Sequence, residues 1–355
     1  MKIDAIRVRS RTLKRVDPQW RTSSYKADEV GAVYVAIEAG GMTGVGATAS
    51  HPRRLTADDI VAQLTGIVLP ALAGRSVQDA RGVLAALPAS IHSRTSIAVD
   101  LALHDLIGRL AGLPAEVLWG GPVRDRVNLV RMVGIKAPQE IVAAVRPLHE
   151  AGVRAFKLKV GEGVERDVDR VRRVRAAFGD DVTIMVDGNG AYDRDSGVEF
   201  GRALGELGVH CIEQPLPYQD VEGMALVRKA IPVPLMADQM VESVADVVAV
   251  AQAGAADMIS LKLTKMGSVA ECIRVAHVCA AVGIGVHLGG CAAPGIVDSA
   301  LTRLALSTPD IDVYAEVGES AALVDDQVSG VVHAGPYARS DGHPGLGGMP
   351  PAIWA

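Results

Sequence analysis

At 355 residues, with 49% hydrophobic and 22% charged residues, the chain has material for a large buried core and lacks the composition of a disordered polypeptide. Aromatics make up only 3%, so Val, Ile, Leu and Ala must fill that core, a palette suited to parallel strands buried on both faces under Ala-rich helices. A net charge of −5 gives no electrostatic footprint for nucleic acid, and the basic stretch 166–175 interleaves Asp167 and Asp169 with its arginines, as a solvated helix face does.

The opening ten residues alternate Ile and Val with charged residues and contain no apolar signal segment. The cysteines, Cys211, Cys272, Cys279 and Cys291, form no close metal-type pair, and Cys272 and Cys279 share a predicted helix face as buried thiols. A reduced, cytoplasmic protein is expected. Strands are predicted at 2–9 and 32–38, then helices near 56–65, 76–86 and 94–111, an α+β arrangement. The segment Gly44-Val45-Gly46-Ala47-Thr48-Ala49 loosely matches a dinucleotide fingerprint, but His51-Pro52 interrupts the helix such a motif must open, so a turn is expected.

From Val127 onward the pattern becomes regular. Apolar strands are predicted at 127–133, 154–160, 182–187, 209–213, 233–238, 257–262, 284–288 and 311–316, with helical segments such as 164–177 and 267–281 between them. This β-then-α alternation predicts an α/β fold, a (β/α)7–8 TIM-type barrel, in preference to an open doubly wound sheet. The nearly uncharged stretch 278–297 carries glycines and Pro294 that argue against a membrane span. Residues 321–355 are turn-rich, ending in His343-Pro344-Gly345-Leu346-Gly347-Gly348, and are expected to form no further unit and to return to the N-terminal part. The expected organisation is an α+β capping domain at 1–122, the barrel at 123–320 and the returning tail at 321–355.

The strand ends carry the chemistry. Strand two ends in Lys157-Leu158-Lys159, strand three in Asp187, strand four in Glu213, strand five in Asp238 and strand six in Lys262; strand seven carries His287 and strand eight ends in Glu316. One such residue could cap a helix or form a surface ion pair. Their recurrence in register after apolar strands exceeds what weak isolated pairs explain, and matches the C-terminal mouth of a barrel. Asp187, Glu213 and Asp238 are hard oxygen donors without histidine or thiolate among them, which suits Mg2+, with Mn2+ as the alternative. Lys159 and Lys262 come from strands that face each other across a closed ring. A lysine beside a bound cation and another lysine has its pKa pushed towards neutrality, as a general base needs. Lys157 projects on the same side of its strand as Lys159 and can lower its neighbour's pKa. The metal would neutralise the enolate formed when a proton leaves the carbon beside a carboxylate.

These motifs resemble the enolase superfamily, in its muconate-lactonizing-enzyme (mandelate racemase/muconate lactonizing enzyme) subgroup. The likeness runs from Leu118-Trp119-Gly120-Gly121-Pro122-Val123-Arg124-Asp125 through Phe156-Lys157-Leu158-Lys159-Val160-Gly161, Val186-Asp187-Gly188-Asn189, Glu213-Gln214-Pro215, Met236-Ala237-Asp238 and Leu261-Lys262-Leu263-Thr264-Lys265. It implies that Asp187, Glu213 and Asp238 bind Mg2+, that Lys159 and Lys262 are the acid/base pair, and that Glu316 is the acidic residue the family often has at the end of strand eight. A mandelate-racemase-type His–Asp pair fits less well, because strand six ends in Lys262. Gln239 stands where the subgroup usually has Glu, and Gly267-Ser268 where it usually has Gly-Gly. The expected activity is proton abstraction from a small carboxylate substrate, as a cycloisomerase first. The alternatives are a racemase or epimerase of amino-acid derivatives, a dehydratase or an o-succinylbenzoate-synthase-like lyase, and, remotely, a non-catalytic binding barrel. Specificity is expected from the loop around Asp17–Ala27, with Trp20, Arg21 and Tyr25 as candidates and Arg21 pairing a distal carboxylate. Asn189, Gln239 and His287 are further candidate contacts, although a buried structural role is the favoured expectation for His287. The Ala-rich helical exterior predicts a homo-oligomer, and the resemblance implies that this is often an octamer.

Overall fold

The computed structural model describes residues 1–324, 326 and 330–347. Strands β1 (Ala5–Lys14), β2 (Glu29–Ala39) and β3 (Met42–Ala49) form an antiparallel sheet in that order. β1 runs further than the alternation at 2–9 suggests. As the edge strand it exposes most of its side chains, so Ser10, Arg11 and Thr12 fall outside the predicted strand although they pair with β2. The segment expected to turn at 44–49 is instead strand β3. Its glycines permit close approach: a Cβ on Gly46 would collide with the Ala98 carbonyl oxygen and the Ala102 amide nitrogen of the helix Ser93–Ala111. Gly46→Val should therefore destabilise the protein by about 1–3 kcal/mol, read as a lower urea midpoint.

The helix predicted at 56–65 starts at Ala57 under a Thr56–Asp59 capping box. It continues through a π-helical turn, Leu64–Val68, into Leu69–Leu72. The helix expected at 76–86 shortens to Ala80–Ala85.

The barrel strands are β4 (Val127–Val133), β5 (Ala155–Lys159), β6 (Thr183–Asp187), β7 (Cys211–Glu213), β8 (Leu235–Ala237), β9 (Met258–Leu261), β10 (Gly285–Leu288) and β11 (Ile311–Ala315). Each pairs in parallel with the next, and β11 pairs with β4, closing the ring. Inside it, Val130, Ala155, Met185, Cys211 and Met236 form a small plug, while a far larger apolar core fills the space between strands and helices. Both faces of each strand are thus covered, which is why these segments read as short unbroken apolar runs.

The tail holds structure that its turn-rich sequence conceals. Strands β12 (Val331–Ala334) and β13 (Tyr337–Ser340) form a hairpin, and β13 adds antiparallel to the start of β4. The chain then returns to the cap. Asp105, fully buried in the helix Ser93–Ala111, accepts hydrogen bonds from the amides of Val45 (2.8 Å) and Leu346 (2.7 Å), joining β3, that helix and the tail. Gly348 and the residues after it lie outside the described residues.

One further expectation changes. The helix Val164–Phe178 does show a solvated pair, Arg173–Asp169, but Arg170 and Asp167 are fully buried. Arg170 binds Asp167, Glu162 and the Lys136 carbonyl (2.6 Å), so part of the basic stretch is internal scaffolding. All four cysteines are free thiols. No helix among the described residues is long and apolar enough to cross a membrane.

Candidate active site

Register brings the charged strand ends together. Lys159 on β5 lies opposite Asp187 on β6, which lies opposite Glu213 on β7. Asp238 follows β8, and Lys262 follows β9 as the cap of a short helical turn, Leu263–Met266. Asp187 and Glu213 are fully buried and Asp238 nearly so. Each carboxylate is held by lysine. Lys159 Nζ donates to Asp187 Oδ2. Lys157 Nζ donates to Glu213 Oε2 at 2.6 Å, lies 4.0 Å from Asp187 Oδ2 and pairs with Glu316. Lys262 Nζ donates to Asp238 Oδ2 at 2.7 Å and lies 3.6 Å from Glu213 Oε1. Lys265 Nζ donates to Asp238 Oδ1 at 2.8 Å and to the Val241 carbonyl at 3.0 Å. Two neighbours support the arrangement. Gln214 Oε1 accepts from the Asp238 amide at 3.0 Å, and Asn189 Nδ2 donates to Asp187 Oδ2 at 3.1 Å. Both have positive φ, 36° and 48°, a conformation uncommon outside glycine that recurs where a site demands it.

Electrostatics follow from this packing. Burial raises the Glu213 pKa, and Asp187 beside it adds to the rise despite Lys157. Burial also opposes ionised Asp238, but Lys262 and Lys265 outweigh it and hold that carboxyl well below its usual range. Burial lowers the Lys262 pKa, yet Asp238 and Glu213 reverse the effect and raise it. Lys265, enclosed further, is lowered by burial in spite of Asp238. The negative charge of Asp238 and Glu213 thus holds Lys262 as its ammonium, and a second cation drawing on those carboxylates would weaken that hold.

Among the described residues no group of three or more His, Cys, Asp or Glu side chains stands as a preformed metal cluster. The donor set nonetheless fits a divalent cation. Three carboxylates converge from successive strands, and Glu213 Oε1 is buried without a hydrogen-bond partner. The ammonium of Lys262 sits against both Asp238 and Glu213, where such an ion would place positive charge.

A cleft of about 440 Å3 opens above these groups, lined from the barrel by Lys159, Asn189, Asp238, Gln239, Lys262 and Lys265. The cap contributes Arg15, Trp20, Tyr25, His51 and Arg94 to the same cleft. Lys157, Glu316 and His287 do not line it. They form a buried layer in which His287 Nε2 meets Glu316 Oε1 at 3.0 Å and Glu316 Oε2 accepts from the Gly290 amide at 2.8 Å. Arg21 is also placed elsewhere, its guanidinium bound to Glu162 at 2.5 Å, so it cannot pair a distal carboxylate in this arrangement. Sequence reasoning missed Arg15, His51, Arg53, Arg54, Arg94, Tyr218 and Cys291, all of which line the cleft. No spacing rule joins cap residues to a barrel mouth. Thr264 and Lys265, which also line the cleft, stood within the motif that follows strand six.

A closed eight-stranded parallel barrel with charged residues at one mouth and an α+β cap over it defines a class of barrel enzyme. Residues 5–120 match the family model of the mandelate racemase/muconate lactonizing enzyme N-terminal domain, and residues 140–350 match the enolase C-terminal domain-like model. The chain belongs to the enolase superfamily, in its mandelate racemase/muconate lactonizing enzyme subgroup. Muconate cycloisomerase 1 of Rhodococcus opacus is 32% identical over 309 residues, covering 84% of this chain and 82% of that protein. The substrate-liganded L-Ala-D/L-Glu epimerase of Bacillus subtilis superposes with a TM-score of 0.93 at 25% identity, over 98% of this chain and 99% of its own. The dipeptide epimerase of Methylococcus capsulatus, complexed with Mg and the dipeptide L-Arg-D-Lys, superposes with a TM-score of 0.91 at 28% identity, over 98% and 99%.

Proposed function

We propose that this enzyme is an isomerase that moves the proton on the carbon beside a substrate carboxylate, with Lys159 and Lys262 as its acid/base pair and Mg2+ held by Asp187, Glu213 and Asp238. The observation that carries the reading is the placement of the two lysines. They stand at the ends of β5 and β9, second and sixth in a ring of eight, so they approach the cleft from opposite sides of the carboxylate trio. A divalent cation there would neutralise the charge that develops on the substrate carboxylate as its α-proton leaves.

The protein's own groups do the rest. One lysine, as free amine, takes the proton, and the other, as ammonium, faces the opposite side of the same carbon. Lys157 stays protonated, since Glu213, Glu316 and Asp187 overcome the effect of burial and raise its pKa. It acts by fixing Glu213. Asn189 and Gln239 each bring a buried side-chain oxygen without a partner to the cleft and are positioned to receive substrate donors.

Cycloisomerisation of an unsaturated dicarboxylate is the leading reaction. One carboxylate oxygen would add to the double bond, and a lysine ammonium would give its proton to the α-carbon, leaving that lysine as the free amine. Epimerisation is the second reading, favoured by a lysine on each face, which one-carbon proton exchange requires. Proton NMR in deuterium oxide tests both, using the Mg-loaded protein with muconates, N-acylamino acids and dipeptides. At least one class should show α-deuterium incorporation or lactone formation. A folded, Mg-binding protein inert towards all three would count against the proposal.

A further inference from the structure

Four guanidiniums reach the cleft, and three are engaged. Arg53 Nη1 donates to the Ser24 carbonyl at 2.9 Å, Arg54 Nη1 to Glu242 Oε1 at 2.9 Å and Arg94 Nη1 to the Ala49 carbonyl at 2.7 Å. Arg15 differs. Its relative exposure is 9%, its Nε is buried without a partner, and no ion pair or side-chain hydrogen bond engages its guanidinium among the described residues. What it does have is a platform: its Cζ lies 4.1 Å from the centroid of the Trp20 ring. The nearby acids are taken. Asp17 accepts from Lys136 at 2.7 Å, and Glu319 accepts from the Met132 amide at 3.1 Å.

Glu319 and Asp17 act on Arg15 only through space, and a buried guanidinium with no carboxylate paired to it is costly unless something supplies one. Burial lowers the pKa of Arg15 and outweighs the opposing effect of Tyr25, Glu319 and Asp17. Its backbone is fixed as well, the Arg15 amide donating to the Asp28 carbonyl at 2.7 Å just past the end of β1. The cap wall beside it runs through Trp20, Tyr25 and His51, with ring centroids 5.8 Å and 5.6 Å apart in turn. On that wall His51 is pushed down to about 4, by burial first and then by Arg94 and Arg54. It stays neutral and leaves the site to the arginines.

We propose that Arg15, laid on Trp20, anchors a second carboxylate of the substrate, so that this cleft takes dicarboxylates whose first carboxylate lies at the catalytic lysines. The planar fork of arginine matches a carboxylate with two parallel hydrogen bonds, and stacking on an indole holds the fork in place before the ligand arrives. The inference rests on the cleft being the substrate site.

The test is calorimetric titration of the Mg-loaded protein with glutarate, adipate and pimelate, each against the monocarboxylate of equal length. At least one diacid should bind about tenfold or more tighter than its monoacid. In Arg15→Met that ratio should collapse to about one. A ratio near one for all three pairs in the wild type, or a ratio that survives Arg15→Met, would overturn the anchor. Should Arg15→Met not fold, Arg15→Lys decides: a point charge without the fork should cut the ratio several-fold, and an unchanged ratio counts against the proposal. Deuterium exchange reads the lysines separately. Loss of diacid preference with Arg15 in a protein that exchanges no proton would sink the proposed reaction and keep the anchor, and the converse would do the reverse.

Discussion

Replacing Lys159 or Lys262 with alanine is expected to lower turnover by about two to four orders of magnitude, the range a positioned acid or base supplies. The two variants should then part company. If the reaction passes a proton from one face of the α-carbon to the other, each single variant still exchanges the proton of the enantiomer that faces its surviving lysine. If the reaction is cycloisomerisation, one variant loses exchange entirely, and the other is affected mainly through charge. Mg2+ binding should survive in both, because neither lysine is a proposed ligand and Asp238 keeps Lys265 when Lys262 is removed. Exchange rates by NMR, measured variant by variant, distinguish these outcomes. Near wild-type turnover in both would remove the lysines from the mechanism.

The second large effect separates two carboxylates that the proposed chemistry treats alike. Glu213→Gln and Asp238→Asn should each weaken Mg2+ binding more than about a hundredfold, beyond the loss typical of residues that merely support a ligand. Their stabilities should differ. Asp238 neutralises two enclosed ammoniums, with Lys262 and Lys265 side chains only 17% and 13% exposed. Removing its charge strands Lys265 and leaves Lys262 only Glu213, 3.6 Å away, at about 3 kcal/mol. The Glu213 pKa is already raised by burial and Asp187, so neutralising it relieves as much as it removes, and Lys157 retains Glu316. Urea titrations without metal check this difference. The Asp238 contribution also carries a pH signature. Its folded pKa is depressed, so the stabilisation is fully present above the ordinary value of 3.8 and is lost as pH falls through the lower folded one. The wild type should lose stability in that acidic window, and Asp238→Asn should lose less.

What the sequence made legible was periodic. Asp187, Glu213, Asp238 and Lys262 stand out because each ends an apolar strand and recurs with the repeat of a β/α unit, so a local rule finds each one. What it hid was convergent. Arg15 and Arg21 lie six residues apart in one basic, loop-rich stretch, and nothing local shows that Arg21 turns to Glu162 while Arg15 faces the cleft. The glycines of β3 signalled a turn because their reason for being small, the backbone of the helix Ser93–Ala111, lies over fifty residues away. The hairpin β12–β13 escaped because it borrows its sheet from β4, on the far side of the barrel sequence.

The double attachment of the cap limits how the cleft can be entered. A domain joined to its neighbour at a single crossing can swing about it. Here the chain passes from cap to barrel after the helical turn Ala115–Leu118 and comes back where Gly345 and Leu346 bond to Leu113, Ala115 and Asp105. Rotating the whole cap away would tear one seam or the other. The segment between β1 and β2 meets the rest of the molecule through separate bonds: Arg21 to Glu162, Lys136 to Asp17 at 2.7 Å, the Ile135 amide to the Arg21 carbonyl at 2.9 Å, the Val16 amide to the Ala322 carbonyl at 2.9 Å, and Ser23 Oγ to the Gly188 carbonyl at 3.0 Å. These bonds, unlike the two seams, can break without separating the cap from the barrel, so any widening of the cleft that keeps the cap attached would have to begin with them.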